Sequence, residues 1–123
     1  MRIAAYSWAS IRTADFAATV RFFAEVLGLP LTLRDDDNEF AHFWLPSGQL
    51  FEIFGPKAGE LHAIGCPVLG FEVEDVRAAR QELELQGVEF VTEVFEAPDG
   101  AAWTYFRGPD SHLYELWRPA REA

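Results

Sequence analysis

The sequence predicts an α+β fold built from two βαβββ modules, and three observations carry that expectation. Residues 15–28 have the marks of one capped helix. Asp15 can accept hydrogen bonds from the first free N–H groups, and Gly28 can take the left-handed conformation that ends the last turn. Between them Phe16, Val20, Phe23 and Leu27 fall on one apolar stripe. The same strand–Asp–helix–Gly order then returns: Asp75 follows Asp15 at an offset of 60, and Gly87 follows Gly28 at an offset of 59. A repeat of that length is a duplicated module rather than a solenoid unit.

Taken in order, a strand over about 3–12 precedes the first helix, and residues 29–34 lead into the acidic turn Asp35-Asp36-Asp37-Asn38-Glu39. That turn reads as a solvated loop tip. Strands over 40–45 and 49–54 flank Pro46-Ser47-Gly48, a hairpin signal. A two-residue Ser47-Gly48 turn would set Phe43 opposite Glu52 and put His42 on the helix side. Gly55-Pro56-Lys57-Ala58-Gly59 breaks the periodicity. The 123 residues are thus one domain, with module 1 over about 1–55, a linker over about 55–66 and module 2 over about 66–119. Module 2 holds strands over about 66–73, 89–96, 101–107 and 112–118, with its helix over 75–86.

Half of the residues are hydrophobic and 15% aromatic, enough for a packed core. The formal net charge of −10 argues against nucleic acid, whose phosphates need a basic face, and favours cationic ligands. Apolar runs are too short for a membrane span. The first residues hold no signal-peptide core, and Cys66 is the lone cysteine, so a cytoplasmic protein is expected. Cys66 itself reads as a small buried hydrophobe.

Strand alternation says which side chains turn away from the helices. In the first strand these are Trp8 and Ser10; in the next module's first strand, Val68, Gly70 and Glu72. Leu50, Glu52 and Phe54 share that side, as do Leu113, Glu115 and Trp117. Two carboxylates, Glu52 and Glu115, therefore stand at equivalent positions of the repeat on an otherwise apolar surface.

At this point the chain resembles the vicinal oxygen chelate superfamily, which includes glyoxalase I, extradiol dioxygenases, and fosfomycin and bleomycin resistance proteins. The matching pieces are Asp15 with Phe22-Phe23 and Leu27-Gly28, Leu50-Phe51-Glu52-Ile53-Phe54, Phe71-Glu72-Val73-Glu74-Asp75, Gln86-Gly87-Val88-Glu89-Phe90, and residues 108–116. The resemblance implies curled mixed sheets forming a cleft, the glyoxalase/bleomycin resistance-like fold, and commonly a homodimer. It also implies four metal-ligand positions, which fall here on Trp8, Glu52, Val68 and Glu115. Trp and Val supply no lone pair to an ion, so no metal ligands are assigned and no cofactor is expected. A divalent metal would have only the two carboxylates.

Three functions follow. The first is metal-independent binding of a small cationic or aromatic molecule by Trp8, Ser10, Phe43, Glu52, Phe54, Val68, Thr104, Phe106, Glu115 and Trp117, with antibiotic sequestration as one version. The second is a lyase, isomerase or dioxygenase of the same superfamily with Glu52 and Glu115 as catalytic groups. The third is a structural or interaction protein whose cleft is filled by its own side chains. In that case a buried Glu52 or Glu115 must find a donor, with Trp8, Tyr6, Thr104 or an arginine as candidates.

Overall fold

Alternation of apolar residues, two aspartate caps and glycine stops yield the expected α+β order. The computed structural model describes residues 1–60 and 62–120. In chain order these form β1 (Ala5–Arg12), α1 (Phe16–Arg21), β2 (Leu31–Asp35), β3 (Phe40–Trp44), β4 (Leu50–Phe54), β5 (Val68–Glu72), α2 (Val76–Leu85), β6 (Glu89–Phe90), β7 (Phe95–Glu96), β8 (Ala102–Arg107) and β9 (Leu113–Arg118).

Contacts divide the chain into two compact units, Trp8–Val68 and Met1–Ser7 with Leu69–Ala123. The cut falls inside β1, so residues 55–66 belong to the first unit and the first seven residues to the second. In the first unit the strand order is β2-β3-β4-β1, antiparallel except for the parallel β4–β1 pair. The second repeats it as β5-β9-β8 with β6 and β7 on β8, again with one parallel pair, β5–β9. The expected strand over 89–96 is these two short pieces.

Both caps form as expected: Ala18 N donates to Asp15 Oδ1 at 3.1 Å and Ala78 N to Asp75 Oδ1 at 3.0 Å. Gly28 and Gly87 have φ of 71° and 89°, the left-handed values that end each helix. The first helix departs from expectation after Arg21. Residues Phe22–Val26 form a π turn, in which Leu27 N donates to Phe22 O at 3.0 Å. The wider turn moves the apolar stripe off register. Phe16 and Val20 stay buried and Phe23 packs at the core edge, but Leu27 is 54% exposed.

Each unit has its own core between sheet and helix: Phe16, Val20, Ala41, Phe43 and Ile53 in the first, and Val73, Val76, Ala79, Ala102 and Leu116 in the second. The acidic turn is satisfied from within. Asn38 donates its backbone and side-chain amides to Asp35 at 2.9 and 3.0 Å, and these bonds hold the Asp35 carboxyl below its usual range. Cys66 is half-buried rather than a core residue. None of the described helices is long and apolar enough to cross a membrane.

Candidate functional site

Glu52 is the side chain around which a site can be built. Along β4, Phe51 and Ile53 turn toward the helix, which leaves Leu50, Glu52 and Phe54 on the other side. In the sheet Glu52 lies between Ser10 of β1 and His42 of β3. Residues paired across neighbouring strands share a face, so all three stand together. The indole of Trp8 donates Nε1–H to Glu52 Oε1 at 2.7 Å, and His42 Nε2 meets Glu52 Oε2 at 3.0 Å. Oε1 thus accepts a hydrogen bond and Oε2 lies in close contact with the imidazole, which together offset the cost of an acid group only 14% exposed.

His42 reverses the expectation. The β3–β4 loop has three residues, Pro46, Ser47 and Gly48, with Leu45 N donating to Gln49 O at 2.8 Å. Gly48 N bonds Leu45 O at 2.9 Å, and Gly48 takes φ 94°, a turn with its left-handed glycine. One residue more than a two-residue turn shifts the register, and a shift by one exchanges the faces. Phe43 therefore pairs with Phe51, not Glu52, and is fully buried in the helix-side core. His42 takes the place on the Glu52 side.

Trp8, Ser10 and Phe54 stand on the side expected for them, and all three are buried. Residues 55–60 and 62–65 explain part of that cover. Arg12, next along the same side of β1, donates Nη1 to Gly55 O at 3.0 Å and Nη2 to Ala58 O and Glu60 O at 2.9 and 2.5 Å. Gly65 N closes onto Arg12 O at 3.1 Å. The segment so held brings His62 against Trp8 and Phe54, with ring centroids 5.8 and 5.0 Å apart. His62 is 4% exposed, and its pKa is lowered to about 4, first by burial and then by the Arg12 charge. The segment carries no periodicity, and nothing in the sequence showed that Arg12 of β1 would hold it or that His62, a linker residue, would pack inward.

In the second unit Glu115 is 3% exposed and lies between Gly70 of β5 and Tyr105 of β8. Leu113 and Trp117 share its side by alternation and are also buried. Trp117 Nε1 donates to Ser7 Oγ at 3.1 Å, and Ser7 Oγ donates to Glu72 Oε1 at 2.6 Å. Thr104 and Phe106 do not stand with Glu115. They pair with Leu116 and Tyr114, the helix-facing residues of β9, so Tyr105 and Trp103 occupy the face that had been expected for them. Thr104 Oγ1 accepts from Arg80 Nη1 of α2 at 3.1 Å, and Phe106 packs against the helix-side core. Val68, at the end of the first unit, is 2% exposed.

Two of the four positions that the resemblance gave to metal ligands offer an ion no lone pair. An indole N–H can only donate, and that of Trp8 is directed at Glu52; Val68 is a hydrocarbon. Among the described residues no group of three His, Cys, Asp or Glu side chains converges on a common point. An open depression of about 540 Å³ lies elsewhere, lined by Arg77, Arg80, Gln81, Glu84, Glu93 and Val94. Its cations are already engaged, Arg77 by Glu96 at 2.9 Å and Arg80 by Glu84 at 3.3 Å, and it holds none of the residues singled out above. The Glu52 cluster has the chemistry; the depression has only volume.

Comparison with known proteins matches residues 5–116 to the family model described as Glyoxalase/Bleomycin resistance protein/Dioxygenase superfamily. The uncharacterized protein YraH of Bacillus subtilis (strain 168) is 30% identical over 115 residues, covering 85% of this chain and 90% of that protein. Methylmalonyl-CoA epimerase from Mycobacterium tuberculosis superposes with a TM-score of 0.76 at 22% identity, over 97% of this chain and 90% of that one. A glyoxalase/bleomycin resistance protein/dioxygenase superfamily member from Vibrio splendidus 12B01 gives 0.68 at 18% identity, over 90% and 96%. At these identities the two superpositions concern the fold.

Proposed function

The chain belongs to the Glyoxalase/Bleomycin resistance protein/Dioxygenase superfamily, and from that premise we propose that it binds a small organic molecule without a metal ion, on the sheet face that carries Glu52 and His42. The observation that carries this reading is the state of Glu52. Both of its oxygens already face nitrogens of this chain, Trp8 Nε1 at 2.7 Å and His42 Nε2 at 3.0 Å, where a metal-binding member would turn them to an ion. Phe40, His42 and Trp44 of β3 put three rings on that side, and Trp44 is 37% exposed, a surface on which a flat guest can stack. The net charge of −10 favours a guest with cationic character. Sequestration of a basic aromatic antibiotic is one form this takes, and the protein acts as a cytoplasmic homodimer.

Acid–base catalysis is the second reading, supported by the imidazole–carboxylate contact at 3.0 Å. Such a pair is what an isomerase or lyase of this superfamily would use once metal chemistry is set aside.

Calorimetric titration with proflavine, a cationic aromatic dye, separates these readings. Saturable binding that survives exhaustive chelation and weakens in Trp44→Ala supports metal-free uptake. Binding that vanishes on chelation and returns with Zn, Ni, Mn or Fe refutes it.

A further inference from the structure

We propose that His42 is the group that meets the guest, and that Glu52 acts on the guest only through it. The inference rests on the reading of the Glu52 face as the binding face. Of the three side chains around Glu52, Trp8 is 4% exposed and Ser10 not at all, whereas His42 is about a quarter open, at 26%. A molecule arriving at this face reaches the imidazole and not the other two.

The tautomer of that imidazole follows from its neighbours. An ionised carboxylate can only accept, so the ring nitrogen facing Glu52 Oε2 at 3.0 Å, Nε2, carries the hydrogen. A neutral ring then has its lone pair on Nδ1, which makes no hydrogen bond to any described residue. Trp8 fixes the other end, because its indole N–H occupies Glu52 Oε1 and holds the carboxylate in place. The three residues form a line of determined polarity: Trp8 donates, Glu52 accepts twice, and His42 donates inward and accepts outward. The guest class this fits carries an O–H or N–H of weakly acidic character, such as a phenol, enol or imide.

Glu52→Gln tests this without changing shape. The Gln oxygen must turn to the Trp8 N–H, so its NH2 group faces His42 Nε2, which must then accept. The hydrogen moves to Nδ1, and the outward lone pair is lost. Nitrogen-15 spectra of histidine-labelled protein at about pH 9, above the ordinary imidazole range, read the tautomer directly. We expect Nε2–H in the wild type, Nδ1–H in Glu52→Gln, and partial return of Nε2–H in Trp8→Phe/Glu52→Gln, where the amide can turn over. Diethyl pyrocarbonate, which acylates an open unprotonated ring nitrogen, should modify His42 about tenfold more slowly in Glu52→Gln, the factor one modest hydrogen bond supplies. Phenol should shift the His42 nitrogens in the wild type while its methyl ether anisole does not. An unchanged tautomer in Glu52→Gln, or anisole acting as phenol does, overturns the assignment. The tautomer needs no guest, so an inverted tautomer alongside absent proflavine binding would condemn the binding reading and not the Trp8–Glu52–His42 line.

Discussion

The two repeats share a strand order and a capped helix, yet their equivalent carboxylates live differently. Glu52 is partly open and holds an indole and an imidazole. Glu115 is closed off at 3% exposure between Gly70 and Tyr105, and its unit's indole–hydroxyl–carboxylate chain runs instead from Trp117 through Ser7 to Glu72. Duplication copied what the core requires, apolar alternation and the Asp15 and Asp75 caps, because each helix must bury one face. The opposite side of each sheet is buried too, but not under the helix of its own repeat. Its polar residues were free to diverge, and the open imidazole beside a carboxylate is found on the first repeat.

Phe43→Ala should produce the largest effect, since it opens a cavity under the first helix. A loss of about 3–5 kcal/mol is expected in urea denaturation, and Trp44→Ala, one residue on and partly exposed, should cost much less. Equal costs would mean the β3–β4 register is not the one described.

Acidification should separate the repeats next. The His62 pKa of about 4 lies below its ordinary 6.5, so the unfolded chain takes the proton first. That contribution is complete above about pH 6.5 and disappears as pH falls toward 4. At full size it is on the order of 3 kcal/mol. Hydrogen exchange should show amides of the latter part of β1 and of β4 losing protection before those of β8 and β9, and His62→Phe should abolish the difference in slope.

A smaller asymmetry belongs to the indoles. Trp8→Phe removes a hydrogen bond to a charged group, worth about 1.5–3 kcal/mol, whereas Trp117→Phe removes one between neutral groups, worth about 1 kcal/mol. Chemical denaturation of the two variants should rank them in that order. Least of all, Asp15→Ala and Asp75→Ala should cost about 1 kcal/mol each and equally. A twofold difference between them would show that the π turn after Arg21 changes how firmly the first helix is held.

Much of this was legible in the letters. Asp15, Gly28, Asp75 and Gly87 mark helix ends by local hydrogen bonding and backbone conformation, which need no distant partner. Glu52 and Glu115 could be placed opposite the helices because a strand's period of two is a local property. Phe43, Thr104, Phe106 and His42 went astray for one kind of reason. Their faces depend on register, and register depends on loop length at Pro46-Ser47-Gly48 and on which β9 residue meets each β8 residue. The three-residue loop with glycine last was the available signal.

Local chemistry in the sequence determined the family's repeat, its caps, its alternation and the lack of a lone pair for an ion at Trp8 and Val68. Tertiary structure alone decided what Glu52 touches. A hydrogen bond has direction and a reach of about 3 Å, and only the folded sheet, with its register set by a glycine turn, brings His42 and Trp8 from distant points of the chain within that reach.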